Sequence, residues 1–188
     1  MQPTDAAIIH ASLEEPARFG EVFERHWDAV YGYAARRVGS AVGEDVAADA
    51  FLVAFTRRAD FRQDATTARP WLLGIATNLL RHHLRDEQTH VRILASITVD
   101  DALAPPDDPE RLRAIGALPI VLEVLLVLSP EDRDAFLLLA LADLSYFEIA
   151  RALDVPVGTV RSRIHRVRHR LRERLATSRA IAEQDEEW

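Results

Sequence analysis

The chain has 188 residues, enough for one large domain or two small ones, and its 23 basic residues, all arginine, stand against 30 acidic residues for a net charge of −7. It contains no cysteine, which excludes disulfides and thiolate metal sites. No apolar run approaches the roughly 18 residues of a membrane span, and the N-terminus lacks the pattern of a secretion signal, so we expect a cytoplasmic protein.

Apolar residues recur at helical spacing in the first part of the chain, and no alternating strand pattern appears. The spacing begins with Phe19, Val22, Phe23, Val30 and Tyr31. Two glycines interrupt it over 39–43, and it resumes over 44–55. Residues 61–69 are typical of a polar loop, and residues 71–85 return to a helical pattern. These patterns predict an all-α first domain.

The helix predicted at 71–85 has an apolar stripe and a basic face. The stripe consists of Trp71, Leu72, Ile75 and Leu79. The basic face consists of Asn78, Arg81, His82 and Arg85, and Phe61 and Arg62 begin the preceding loop. An aromatic residue beside a polar loop and a basic helix suits a nucleic-acid single strand whose bases are turned out and stacked. An ordinary amphipathic helix with a solvated face is the alternative.

The middle of the chain predicts a linker. Residues 100–110 are acidic and rich in proline, so we do not expect them to fold alone. The apolar segment 120–128 predicts a core helix that begins after Pro119, with a partner-covered surface as the alternative. We therefore expect two small helical domains joined by an acidic flexible linker. We assign residues 1–17 to a leader and residues 18–88 to the first domain. Residues 89–114 form the linker, residues 115–175 the second domain and residues 176–188 an acidic tail.

Residues 145–171 have the pattern of a helix-turn-helix, whose second helix enters the DNA major groove. Ser145 and Glu148 fit a capping box at the start of the first helix. Asp154 lies where the chain must turn sharply, and aspartate tolerates the left-handed conformation. Pro156 fits the start of the second helix. The core face of that second helix consists of Val160, Ile164, Val167 and Leu171.

The other face of this second helix carries the candidate DNA-binding residues. They are Gly158, Thr159, Arg161, Ser162, Arg163, His165 and Arg166. A small residue at 158 permits close approach of the backbone to DNA, and arginine can read guanine with its two-pronged donor fork. A solvated basic helix is the alternative. Because the chain is acidic overall, DNA affinity must come from this local patch or from a partner.

Other chemistry is weakly indicated. His165 and His169 lie four residues apart, but no third metal ligand is evident and neighbouring arginines would repel a cation. No phosphate-binding loop or nucleophile motif appears. We therefore expect no metal, no cofactor and no enzymatic activity.

Three motifs in order resemble the extracytoplasmic-function sigma factors, the compact two-domain initiation factors of bacterial RNA polymerase. They are GEDVAADAFLVAF at 43–55, WLLGIATNL at 71–79 and VPVGTVRSR at 155–163. The resemblance implies a promoter-specificity subunit that recognises the −35 element as duplex and the opened −10 element. It implies that Arg161, Ser162, His165 and Arg166 read −35. It also implies that the loop after Phe61 holds a flipped −10 base, with Asn78 as a base contact.

The resemblance also implies protein partners. The helix at 44–55 would bind the β′ clamp helices of core RNA polymerase through Glu44, Asp45, Asp49 and Phe51, and the polymerase β flap would be a second contact. An anti-sigma factor would be a further partner, as for many family members, and no membrane contact is expected. The runner-up function is a conventional helix-turn-helix regulator that binds operator DNA without polymerase. A third hypothesis is a helical adaptor with no DNA role.

Overall fold

In the computed structural model, the residues described are 3–62, 64–83 and 109–185, and they form helices without any strand. The eight α-helices of these ranges are α1 (Asp5–Ala11), α2 (Gly20–Val38), α3 (Ser40–Thr56), α4 (Arg69–His83), α5 (Pro109–Leu126), α6 (Pro130–Ala142), α7 (Tyr146–Leu153) and α8 (Val157–Asp185). Short 3-10 helices cover Pro16–Phe19 and Arg58–Asp60. The predicted all-α fold with two helical domains is confirmed. None of the helices described could cross a bilayer, given their length and polarity.

Helices α2, α3 and α4 form the centre of the first domain. Gly39 joins α2 to α3 with a φ of 84°, a conformation that favours glycine. A Cβ on Gly43 would lie 2.6 Å from the Cα of Ala35, so only glycine permits the close approach of these two helices. The helix break predicted over 39–43 is therefore shorter than expected, because α3 begins at Ser40.

The N-terminal segment, expected to be a leader, contributes α1 to this domain. Ile8 and Ile9 are each 2% exposed and lie in the core. The Asp5 carboxylate accepts hydrogen bonds from the Ala68 backbone N–H at 2.8 Å and from Arg25 at 3.1 Å, and it lies 2.6 Å from His26 Nε2. Asp5 thus ties α1 both to α2 and to the loop that precedes α4.

The second domain consists of α5 to α8. Helix α5 runs through Pro119 rather than beginning after it, so the predicted start of this helix is wrong. A proline removes only one helical hydrogen bond, and the flanking apolar residues keep their helical spacing. Ser129 caps α6 by accepting from the Asp132 backbone N–H at 3.3 Å. Arg133 donates to the carbonyl oxygen of Leu125 in the last turn of α5 and to that of Leu128, just after the helix.

Residues 89–108 of the predicted linker 89–114 lie outside the described residues. Its last six residues, 109–114, belong to α5. The predicted tail 176–188 continues α8 as far as Asp185, and residues 186–188 lie outside the description.

The two domains pack against each other and share one hydrophobic core. Helix α4 of the first domain lies against α7 of the second. At the crossing, a Cβ on Gly74 would lie 2.1 Å from the carbonyl oxygen of Ala152. The contact therefore requires glycine at 74, and it brings the helix-turn-helix next to the basic helix of the first domain.

Candidate nucleic-acid interface

The helix-turn-helix forms as its residues predict. The Ser145 hydroxyl accepts from the Glu148 N–H at 3.3 Å, and the Glu148 carboxylate accepts from the Ser145 N–H at 2.8 Å, which completes the capping box. Asp154 ends α7 in the left-handed conformation with φ 51°. The Val155 N–H then donates to the Ala150 carbonyl at 3.0 Å. The turn is thus set by local hydrogen bonds, and it directs α8 away from α7.

Helix α8 has one buried face and one open face. Val160, Ile164 and Val167 are at most 1% exposed, as predicted from their spacing. The open face carries Gly158, Arg161, Ser162, His165 and Arg166, all exposed, while Thr159 and Arg163 are half-buried at its edges. A Cβ added to Gly158 would meet no atom within 4 Å, so the surface is open there.

Two of these side chains already have partners within the domain. Arg166 forms a two-pronged ion pair with Asp132 of α6, with N–O distances of 3.0 and 2.6 Å. Hydrogen bonding to this carboxylate raises the pKa of Arg166. The Ser162 hydroxyl donates to the Gly158 carbonyl at 3.0 Å. Because the Arg166 side chain is 53% exposed, its guanidinium can exchange the carboxylate for DNA.

The loop before α4 differs from the expectation for Phe61. Phe61 is only 8% exposed, and its ring packs on Trp71 with centroids 5.0 Å apart. Burial of an aromatic ring stabilises the fold more than its exposure to solvent at a polar loop would. The Phe61 ring therefore lies in the core. The neighbouring Arg62 is exposed and pairs with Asp64 at 3.1 and 3.2 Å, which raises the pKa of the arginine.

The basic face of α4 borders a cleft between the domains. Asn78 is exposed and lines this cleft of about 730 Å³ together with Arg62. Phe147, 63% exposed, lines the opposite wall. Arg81 and His82 are also exposed, but the Arg81 guanidinium is bound to Asp134 of α6. Arg85 lies outside the described residues.

Helix α3 presents a mixed acidic and apolar surface. Glu44, Asp45 and Asp49 are exposed, as a partner-binding surface requires. Phe51 is only 5% exposed and packs on the Phe23 ring at 4.9 Å, so its side chain belongs to the core.

Leu52 is the most exposed large apolar residue of α3, and it is not among the residues predicted to bind the polymerase. It is 64% exposed, and it lies three residues after Asp49 on the same side of α3. The available signal was that apolar residues surround this helix on all sides, which indicates that a partner covers the second side. Phe23 of α2, 41% exposed, extends the apolar surface.

No cluster of three histidine, aspartate or glutamate side chains exists in the parts of the chain that the structure describes. His169 lies 3.1 Å from the Glu173 carboxylate and its ring is 6.4 Å from that of His165.

Comparison with known families gives two matches. Residues 22–90 match the family "Sigma-70 region 2", and residues 118–171 match "Sigma-70, region 4". The first match covers α2 to α4, and the second covers the helix-turn-helix with α6 and the end of α5.

Curated relatives match over most of the chain. The sigma factor SigE of Mycolicibacterium smegmatis is 34% identical over 93% of this chain and 69% of its own length. CarQ of Myxococcus xanthus is 35% identical, with 84% of this chain and 88% of its own length covered. The sigma-E factor of Escherichia coli K12 is 32% identical, with 89% and 92% covered.

Two solved structures share the fold. CnrH in complex with the cytosolic domain of CnrY has a TM-score of 0.62 and 24% identity, with 93% of this chain and 99% of that chain covered. RpoE of Bartonella quintana in complex with the anti-sigma factor NepR has a TM-score of 0.55 and 21% identity, with 84% and 96% covered.

Proposed function

The chain belongs to the extracytoplasmic-function sigma factors of bacterial RNA polymerase, and from this premise we propose how its surfaces divide the work. It binds core RNA polymerase and promoter DNA, and it directs promoter-specific transcription initiation. We propose that it acts in the cytoplasm as a non-enzymatic factor without a cofactor. The domain boundaries 18–88 and 115–175 are proposed as the units that carry −10 and −35 recognition.

The second domain is proposed to read the −35 duplex through the open face of α8. The observation that supports this assignment is that α8 buries three apolar residues on one side. Its other side exposes Arg161, Ser162, His165 and Arg166. Arg161 and Arg166 are proposed as base readers, because the arginine fork matches the acceptors of guanine. Thr159 and Arg163, at the edges, are better placed for phosphate contacts.

The first domain is proposed to capture the opened −10 strand at the mouth of the cleft. Exposed Asn78 and Arg62 support this role, and Arg81 and His82 extend the same helix face. The buried Phe61 ring would support the loop from below rather than stack on a base. Arg85 remains a proposed contact of the same face.

Helix α3 is proposed to bind the β′ clamp helices of the polymerase. The support is its exposed side, where Glu44, Asp45 and Asp49 precede the exposed apolar Leu52. Exposed apolar residues beside polar ones are common at protein interfaces. The β flap is proposed as the polymerase contact of the second domain.

An anti-sigma factor is proposed as a regulatory partner. The two similar structures were solved as complexes, one of CnrH with the cytosolic domain of CnrY and one of RpoE with the anti-sigma factor NepR. The exposed Phe147 at the domain cleft is a suitable apolar contact for such a partner.

In vitro transcription with purified core polymerase on a promoter library tests the proposed division of work. The intact chain should select promoters with a shared −35 and −10 sequence. Arg161→Ala with Arg166→Ala should abolish the −35 preference, because each lost base contact costs about 1–3 kcal/mol. Arg170→Ala with Arg174→Ala is the matched control, since both residues are exposed on α8 but donate to the Val127 carbonyl and the Glu123 carboxylate on another side of the helix.

Two outcomes would contradict the assignment. Stable sequence-specific binding to an operator without polymerase would favour the conventional regulator. Unchanged promoter selection by the Arg161 and Arg166 double variant would favour an adaptor without a DNA role.

A further inference from the structure

One side chain of the proposed −35 reading face is bound by a residue from outside the helix-turn-helix. Arg166 Nε donates to Asp132 Oδ2 at 3.0 Å, and Arg166 Nη2 donates to Asp132 Oδ1 at 2.6 Å. The Asp132 side chain is 9% exposed, whereas that of Arg166 is 53% exposed. A buried carboxylate of α6 therefore binds one edge of a guanidinium that is otherwise open to solvent.

Asp132 belongs to a part of α6 that is fixed by several contacts. The Asp132 backbone N–H donates to the Ser129 hydroxyl at 3.3 Å, and the helix dipole favours an acidic residue in this first turn. The next residue, Arg133, is buried and donates to the Leu125 carbonyl at 2.8 Å and to the Leu128 carbonyl at 3.1 Å. These contacts join the start of α6 to the end of α5. The carboxylate consequently has a rigid support.

The geometry of the pair leaves the other edge of the arginine available. A guanidinium is planar, and its Nε and Nη2 share one edge while its Nη1 and Nη2 share another. Asp132 occupies the first of these edges, and Nη1 has no hydrogen-bond partner among the residues that the structure describes. The second edge is a donor fork that matches O6 and N7 of guanine. Arg166 can therefore bind the carboxylate and a guanine at the same time.

The row of α8 that leads to Arg166 consists of small residues. Gly158, Ser162 and Arg166 follow one another at intervals of four residues, so they lie on the same side of the helix. A Cβ on Gly158 would meet no atom within 4 Å, and the Ser162 hydroxyl donates back to the Gly158 carbonyl. A base edge can therefore approach the Arg166 guanidinium over short side chains.

We propose that Asp132 is a positioning residue for −35 recognition, which holds the Arg166 guanidinium in the orientation that reads guanine. The proposal rests on the proposed assignment of the α8 face to the −35 duplex, and it adds a residue that lies outside that face. Asp132 itself touches no DNA in this role. It acts through Arg166 alone.

The physical reason is the conformational freedom of arginine. An unpaired arginine samples many rotamers and can turn to any nearby phosphate, whereas a guanidinium that is already held loses less freedom when it binds a base. Asp132 therefore favours base readout over backbone contact. Release of the carboxylate, which the exposure of Arg166 permits, is not needed for DNA contact and would remove this restriction.

Selection of −35 sequences by the polymerase holoenzyme tests this role. The full chain, assembled with core polymerase, transcribes a promoter library randomised over the −35 element, and the selected sequences are determined. Arg166→Ala identifies the position whose guanine preference depends on this residue. Asp132→Asn, which removes the charge and one acceptor oxygen, should lower that preference about fivefold, as expected when one more side chain must be immobilised on binding. Preferences at the other −35 positions should be unchanged.

A second variant and a matched control sharpen the test. Asp132→Ala removes both acceptor oxygens and should lower the same preference about tenfold. Glu131→Gln is the control, because Glu131 is an exposed carboxylate in the same turn of α6, and it should leave every position unchanged. Asp132→Asn combined with Arg166→Ala should behave like Arg166→Ala alone, because a positioning residue acts only through the residue that it holds. Circular dichroism and thermal melting check that each variant is folded.

Three results would overturn the positioning role alone. The first is an unchanged or increased guanine preference in folded Asp132→Asn and Asp132→Ala, since an increase would mean that the carboxylate competes with DNA. The second is a further loss when Asp132→Asn is added to Arg166→Ala, which would indicate general support of the domain. The third is a loss spread evenly over all −35 positions. If Arg166→Ala itself leaves selection unchanged, the proposed reading of −35 by Arg166 fails together with the positioning role.

Discussion

Asp5 is the residue that ties the N-terminal helix to the proposed −10 loop. Its carboxylate contacts the Ala68 N–H, His26 and Arg25, and the side chain is 7% exposed. Burial alone would raise the pKa of Asp5, but these hydrogen bonds hold it below the ordinary value of 3.8. A carboxylate with a lowered pKa in the folded state stabilises the protein above its unfolded pKa, and this stabilisation is lost as the pH falls through the folded pKa.

Asp5→Ala should therefore lower the free energy of unfolding at neutral pH by about 2 kcal/mol, because it leaves buried donors without an acceptor. Urea denaturation measures this difference. The difference between wild type and variant should shrink as the pH falls below 3.8, the ordinary value. Glu21→Ala is the control, since Glu21 is 45% exposed and its carboxylate lies 4.0 Å from Arg25. An equal loss in both variants would contradict the role given to Asp5.

A second residue-scale prediction concerns the turn of the helix-turn-helix. Asp154 has a φ of 51°, which costs most side chains about 1 kcal/mol but costs glycine little. Asp154→Ala should lower stability by about that amount, whereas Asp154→Gly should stay close to wild type. The denaturation midpoints of the two variants should differ in this order, and the reverse order would argue against the strained turn.

At the scale of elements, α3 shows how one helix serves two surfaces. Val46, Ala47 and Ala50 are fully buried on one side, while Leu52 is 64% exposed on the other. A helix with apolar residues on both sides needs a packing partner on each side, and the described fold packs against only one side of α3. The polymerase is proposed to pack on the side of α3 that exposes Leu52.

Leu52→Ala should weaken binding to core polymerase about tenfold, as for a central apolar contact of an interface. Binding of a labelled chain to core polymerase measures the effect. Stability should be unchanged, because the residue is exposed. Val42→Ala, 41% exposed in the first turn of α3, is the control. Loss of affinity in Val42→Ala alone would move the interface toward the start of the helix.

At the scale of the whole molecule, net charge opposes DNA binding by the free chain. The net charge of −7 gives no long-range attraction to DNA. The packing of α7 against α4 leaves the proposed reading face of α8 exposed. We therefore propose that promoter binding depends on the polymerase as well as on the exposed face of α8.

The free chain should bind a −35 duplex with a Kd no tighter than about 10⁻⁶ M at physiological salt, the range of non-specific binding. Fluorescence anisotropy with a −35 duplex and a scrambled duplex measures this. With core polymerase present, the two duplexes should be distinguished. Tight, sequence-specific binding by the free chain would contradict the effect expected of the net charge.

By itself the sequence determined the local structure and the family. The capping box at Ser145, the left-handed turn at Asp154 and the buried stripe of α8 follow from interactions within a few residues, so spacing was enough to predict them. Helix limits were less accurate, because α5 passes through Pro119 and α3 begins at Ser40. The limit of α5 depends on packing that compensates for Pro119 inside the helix.

Only the tertiary structure decided which candidate side chains are exposed to solvent and which are buried. Phe61 and Phe51 carry the right chemistry for a surface role, yet both are buried because neighbouring rings offer them a better environment than water. The contacts between Asp134, Arg37 and Arg81 join residues from distant parts of the chain. No periodicity reports such a contact, because it arises from how the two domains are placed and not from the order of residues within either.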